Sequence, residues 1–325
     1  MRKVGITTTI PMEVVYAAGW IPIDLNNVFI TDDDPGSFIE DAELAGYPRN
    51  ICSWIKGLYG TALRLEGLNT VIAVTQGDCS NTHALMETLE LKGFDIIPFA
   101  FPYDRDYDLL SLQIEKLMAF FGVTWKQVEE VREELREVRK KVWRLDELTW
   151  LANKVNGWDN HLFQVSCSDF NGDPWKFAKD TEEFLAEASE MEPRGKEVRL
   201  AYIGVPPIVD DLYDYLEDQN ARVVFNETQR QFTMPFNVDN IVEQYRMYSY
   251  PHGIFYRLED IERELKKRKI EGVIHYAQSF CYRQIEDLIV RERLRCPVLT
   301  IEGDRPNKLD ARTRMRIDAF LEILR

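Results

Sequence analysis

The chain has 325 residues, of which 45% are apolar and 29% charged, the make-up of a folded globular protein long enough for two ordinary domains. A formal net charge of −15 argues against nucleic acid as a main partner, because phosphate binding rests on Lys and Arg. No apolar run reaches the roughly 18–20 residues of a spanning helix, and Met1-Arg2-Lys3-Val4-Gly5 opens no long apolar signal segment, so the expectation is no membrane partner and a cytoplasmic location.

The N-terminal third reads as α/β. A short helix is predicted from Pro11 to Gly19 and a strand from Ile21 to Leu25. Asn50 to Leu63 has the pattern of a helix with Asn50 as N-cap, which places Cys52 in its first turn. A strand from Thr70 to Val74, a helix from Ser80 to Leu91 closed by Gly93, and a strand from Ile96 to Phe101 follow. Apolar residues then recur every three or four positions from Trp125 to Val155, with Asn156-Gly157 as the stop. That stripe suits a dimerising coiled coil or a helix that bridges two lobes and packs on them, and the bridge is the expectation.

The second α/β region starts after Pro193-Arg194-Gly195. It reads as strand Val198–Val205, helix Ile208–Leu216, strand Ala221–Phe225 and helices around Val238–Tyr248 and Leu258–Lys267. Strand Val273–Ala277, helix Tyr282–Leu294, strand Val298–Ile301 and a closing helix Asp310–Leu324 complete it. The basic run Lys266-Lys267-Arg268-Lys269 reads as a solvated face. Strands alternating with helices predict parallel sheets. The expected architecture is therefore two Rossmann-like or flavodoxin-like parallel-sheet domains, an internal duplication joined by a long helical segment. Its parts are a first α/β domain (1–123) with Cys52 and Cys79, a helical connector (124–160) and a second α/β domain (161–325) with Cys281.

The duplication shows in the residues. Val71-Ile72-Ala73-Val74-Thr75-Gln76-Gly77-Asp78-Cys79 lies over Val273-Ile274-His275-Tyr276-Ala277-Gln278-Ser279-Phe280-Cys281 with the Val-Ile pair, the Gln and the Cys in register. Each copy runs on to an Asp-Arg pair, Asp104-Arg105 and Asp304-Arg305. Ligands of parallel sheets collect at the carboxyl ends of strands, and a thiol at a helix start is favoured as thiolate. Cys52, Cys79 and Cys281 all fall in such settings. Three thiolates suit one zinc with a water, one iron–sulfur cluster with an open iron, or part of a larger shared cluster, and the sulfurs are expected to converge. Cys167 and Cys296, the other two of five cysteines, fit core or loop roles. Gln76 and Gln278 suit either ligand orientation or a repeated structural hydrogen bond. His275 suits a proton carrier or a core position.

Several separated segments, in order, resemble the 2-hydroxyacyl-CoA dehydratase subunits and the related benzoyl-CoA reductase subunits and double-cubane cluster proteins. They are Pro11-Met12-Glu13-Val14-Val15-Tyr16-Ala17-Ala18-Gly19-Trp20-Ile21-Pro22, the Cys52 helix, Gln76-Gly77-Asp78-Cys79 with Glu87, and Phe280-Cys281-Tyr282-Arg283. Thr300-Ile301-Glu302-Gly303-Asp304, Arg312-Thr313-Arg314 and Ala319-Phe320-Leu321-Glu322 continue the match. The resemblance implies an iron–sulfur cluster held by Cys52, Cys79 and Cys281, a [4Fe-4S] cubane in the dehydratases. It implies radical dehydration of a 2-hydroxyacyl-CoA or low-potential reduction, fed by an ATP-hydrolysing iron–sulfur activator protein. No Gly-x-x-x-x-Gly-Lys-Ser/Thr loop occurs in this chain, in keeping with ATP being handled by the activator. A related second subunit would be the dehydratase partner and an acyl-CoA the substrate. The alternative is a homodimer pooling six cysteines on a double-cubane [8Fe-9S] cluster that reduces small molecules. Phe280 stands where the family pattern has glycine, which changes the room beside Cys281. A reading from another class, a two-lobed small-ligand-binding protein without a metal, fits the duplicated architecture with the cysteines merely buried.

Overall fold

The computed structural model of the chain describes residues 2–325. They form two compact units, each assembled from separated stretches of chain. Among the described residues unit 1 comprises 2–140, Ser166–Lys179 and Met234–Gly253, and unit 2 comprises Lys141–Val165, Asp180–Thr233 and Ile254–Arg325. The division between them falls inside two helices, Trp125–Trp150 and Pro174–Glu190. No helix among the described residues is long and apolar enough to cross a membrane.

Each unit holds one four-stranded, all-parallel sheet, so the two expected parallel-sheet domains are present. In unit 1 the strands are β1 (Lys3–Ile6), β2 (Ile21–Asp24), β3 (Thr70–Gln76) and β4 (Asp95–Ala100), in the order β2-β1-β3-β4. In unit 2 they are β5 (Val198–Gly204), β6 (Ala221–Asn226), β7 (Gly272–Gln278) and β8 (Val298–Gly303), in the order β6-β5-β7-β8. The repeat read from the sequence thus extends to topology. It also extends to register: Val71 pairs with Gly5 and Ile96, and Val273 with Ala201 and Val298. β3 and β7 begin and end at matched positions of the overlay. β7 is buried along its whole length and β3 along its first five residues, as expected for strands covered on both faces.

β1 has no counterpart among the sequence-predicted strands. It is four residues long and enters through exposed Lys3, too short for an alternation pattern, yet it occupies an inner position of its sheet. The long helix stops at Trp150 rather than Val155, because Asn153 adopts φ +59° and Lys154 N–H turns back onto the Leu148 carbonyl (2.8 Å). Within unit 1 this helix is anchored by Arg139, whose Nη1 lies 2.7 Å from Glu13 Oε1. Glu13 is fully buried and also accepts from Gln244 Nε2 and Tyr245 OH. The Pro11-Met12-Glu13 segment therefore serves as a seat for that helix.

The basic run 266–269 departs from its reading as a solvated face. Lys266, Lys267 and Lys269 are exposed, but Arg268 is buried and bonded to Asp146, Glu264 and the Val224 carbonyl. The helix Ile254–Lys267 presents one face to the core, and residue 268 falls on that face.

Candidate functional site

Sheets of this order have a switch point between β1 and β3 and between β5 and β7, where the chain leaves neighbouring strands in opposite directions. Crevices outside the carboxyl ends at such points are where parallel sheets bind ligands. Cys79 lies three residues beyond Gln76, the last residue of β3, and Cys281 three beyond Gln278, the last of β7. Both thiols are half-buried.

In unit 1, Cys52 is buried and is itself the N-cap residue of the twelve-residue helix Ser53–Arg64, with Asn50 in the preceding turn. Cys79 approaches the ten-residue helix Thr82–Leu91, whose first N–H bonds the Cys79 carbonyl (3.1 Å). The structure brings these two cysteines into one hydrophobic cluster with Ile55, Leu58, Val71 and Leu85. The Cys79 loop needs its glycine. Gly77 has φ +102°, and a Cβ there would lie 2.7 Å from Pro251 Cβ and 3.0 Å from Phe101 Cβ. Tyr250 OH donates to Asp78 Oδ1 (3.1 Å), so a segment far along the chain clasps the loop from outside.

In unit 2 the loop is held by its own strands. Ser279 N–H bonds the Gly303 carbonyl (2.8 Å), and Cys281 N–H bonds the Gln278 carbonyl (3.1 Å), which also accepts from Gln284 Nε2 (2.8 Å). Gln278 is buried, accepts from Tyr276 OH (2.8 Å) and donates to the Asp304 carbonyl (2.8 Å). It is a structural lock, whereas Gln76 is exposed. Cys281 precedes a five-residue 3₁₀ turn, Tyr282–Glu286, and then the short helix Asp287–Arg293, not the single long helix expected. The dipole contribution to a thiolate is correspondingly smaller there than at Cys52 and Cys79. Phe280 has φ +64° and is half exposed. The left-handed backbone at this position is what glycine adopts without steric cost.

Behind the Cys281 loop stands a buried ion network that the sequence did not signal. Arg257 pairs with both oxygens of Glu227 (2.7 and 3.0 Å) and with Glu286 (2.5 Å), and Glu227 also accepts from Gly204 N–H. Burial pushes the Glu227 carboxyl up, but the Arg257 guanidinium outweighs it and holds the group below its ordinary value. His275 is buried, its Nδ1 2.7 Å from Asp287 Oδ1. Burial lowers its pKa, against the opposing pull of Asp287, and the contact ties the strand to the following helix. Cys167 is buried next to Arg139, and burial pushes its thiol up to about 12. Cys296 packs at the edge of the unit 2 core, its thiol also raised by burial.

Among the described residues no three His, Cys, Asp or Glu side chains form a group that could hold a metal ion. Other buried polar atoms lie on the segments that carry Cys52 and Cys79. Thr9 Oγ1, Ser53 Oγ, Trp54 Nε1 and Thr82 Oγ1 are buried without a hydrogen-bond partner. Thr9 lies just past β1, Ser53 and Trp54 follow Cys52, and Thr82 opens the helix after Cys79. Each can donate, and the indole N–H can only donate. A buried donor without an acceptor costs about 1–3 kcal/mol, so this collection suits an anionic group rich in acceptors, as thiolate-bound sulfide is. The residues around Cys52 and Cys79 fit the cluster that the resemblance implies. These donors and the Tyr250–Pro251 clasp had no sequence signal, because their significance rests on tertiary neighbours.

The family model described as 2-hydroxyglutaryl-CoA dehydratase, D-component, matches residues 7–324 of the chain. A comparison with curated proteins found no match.

Proposed function

The chain belongs to the 2-hydroxyglutaryl-CoA dehydratase D-component family, and from that premise we propose that it is the iron–sulfur subunit of an ATP-dependent low-potential reductase or radical 2-hydroxyacyl-CoA dehydratase. Cys52, Cys79 and Cys281 are the proposed ligands. One observation carries the reading: Cys79 and Cys281 stand at matched positions beyond β3 and β7, beside the switch points of two sheets of the same order. When bound, such a cluster supplies low-potential electrons and a Lewis-acidic iron for a thioester carbonyl. The chain's own part is to hold and orient. Gly77 permits the tight turn before Cys79, the Gln278 lock fixes the turn before Cys281, and the buried donors beside Cys52 and Cys79 favour negative charge on sulfur. The proposed partners are an ATP-hydrolysing iron–sulfur activator protein, a second subunit of the same or related kind, and an acyl-CoA substrate.

Purified without oxygen, the protein is expected to carry iron and sulfide in comparable amounts. Cys52→Ser, Cys79→Ser and Cys281→Ser should each lose most of that iron, while Cys167→Ser and Cys296→Ser keep it. Wild-type protein that stays colourless and iron-free after anaerobic reconstitution would sink the reading. Equal loss in all five variants would show disturbed packing in place of ligation.

A further inference from the structure

We propose that Ser53, Trp54 and Thr82 donate hydrogen bonds to the sulfur atoms of a cluster held at Cys52 and Cys79, and thereby raise its reduction potential. This deepens the iron–sulfur reading above and rests on it. Ser53 and Thr82 are fully buried and occupy the first position of their helices. Elsewhere in the chain several helical hydroxyls return to a carbonyl of the preceding turn: Thr31 to Asn27, Thr149 to Leu145, Ser189 to Leu185 and Thr88 to Leu85, at 2.7–3.1 Å. That option belongs to residues with a helical turn behind them. A hydroxyl in the first position has none and must find its acceptor outside the helix. Trp54 adds an indole N–H that is buried and unbonded, and its ring packs with Cys79 against the cluster of apolar residues that includes Cys52. Ser53, Trp54 and Thr82 thus supply three groups able to donate, all without acceptors, on the two segments that carry these thiols. The segment 279–287 around Cys281 contributes none of the buried unbonded atoms found among the described residues, so the donor set is particular to the unit 1 thiols.

Adding an electron makes a cluster more negative, and hydrogen bonds to its sulfurs favour the reduced state, so each donor shifts the potential upward. Thr61 provides the control. Its hydroxyl is also buried and unbonded in the same helix, but eight residues beyond Ser53 it lies roughly 12 Å along the axis.

The experiment uses the full chain, reconstituted without oxygen, as wild type, Ser53→Ala, Trp54→Phe, Thr82→Val, Thr82→Ser and Thr61→Val. Iron and sulfide per chain are measured first, then the midpoint potential by titration monitored by EPR. Iron content is expected to hold. The potential should fall in S53A, W54F and T82V, fall further when S53A and T82V are combined, and stay at the wild-type value in T82S and T61V. Should T82V lose iron, recovery of both iron and potential in T82S supports the proposal, and loss in T82S as well overturns it. Brown variants with unmoved potentials, or a T61V shift as large as the others, overturn the proposal and leave the iron–sulfur reading standing. A colourless wild type overturns both.

Discussion

The Cys79 loop of unit 1 and the Cys281 loop of unit 2 leave matched strands of two sheets with the same order, and they are secured by different means. Unit 1 uses an outside clasp, with Pro251 packed over Gly77 and Tyr250 bonded to Asp78. Unit 2 uses bonds from its own strand ends, backed by the Glu227–Arg257–Glu286 ion pairs. The backbone frame was duplicated, and the side chains behind it were not. A thiol's environment is therefore set by what packs behind its loop, and the matched glutamines show the same: Gln278 is locked and Gln76 is exposed.

The largest effect should come from the unit 2 support. Arg257→Met leaves Glu227 buried without its counter-charge, a loss of about 3–5 kcal/mol. Denaturant unfolding should show it, and Cys281 should alkylate faster while Cys79 is unchanged. Adding Glu227→Gln should recover much of the loss, and a cost under about 1 kcal/mol for R257M alone would show that the network does not carry the loop.

The converse test is Gly77→Ala. A Cβ there meets Pro251, and the left-handed φ adds strain, for an expected cost of about 1–3 kcal/mol. Here Cys79 should become more reactive and Cys281 should not. Equal acceleration at both thiols would mean that the two supports are not independent.

The smallest effect is a slope with pH. Asp24 N–H donates to Asp169 Oδ2 (2.7 Å) in unit 1, and burial first, then the Asp24 charge, hold the Asp169 carboxyl up to about 7. The folded state thus binds this proton more tightly than the unfolded chain does. Its stabilisation is present at low pH and is lost as pH rises toward the folded pKa, levelling off above it. Between about pH 6 and pH 8 unit 1 should lose about 1 kcal/mol, read by hydrogen exchange of its strand amides. In unit 2 the sign is opposite. Burial raises Glu227 and Asp146, but Arg257 and Arg268 outweigh it and hold both acids down, so their contribution is kept at neutral pH and lost on acidification. Asp169→Asn should flatten the unit 1 slope, and a slope that persists in that variant would point to another group.

Much of the frame was legible in the residues. β3 and β7 announced themselves as apolar runs ending in the same Gln and Cys, and parallel pairing followed from alternation with helices. The four-residue β1 was not legible, because its two buried faces come from neighbours brought in by the fold. Arg268 misled for a related reason: in a run of four basic residues, only helical phase against a core distinguishes the buried one. The glycine expected at position 280 is now explained by its backbone, since Phe280 holds φ +64°.

By itself the sequence determined the two-sheet α/β class, the duplicated strand register and the placing of Cys79 and Cys281 at strand ends, because these depend on local apolar pattern and on spacing within one repeat. Only the tertiary structure decided which acid each buried arginine meets, that Tyr250 and Pro251 clasp a loop about 170 residues earlier, and that Ser53, Trp54 and Thr82 lie buried without acceptors. The physical reason is range. Propensity and periodicity act over a turn or a strand, while burial, ion pairing and orphaned donors are properties of groups that become neighbours only after the chain has folded.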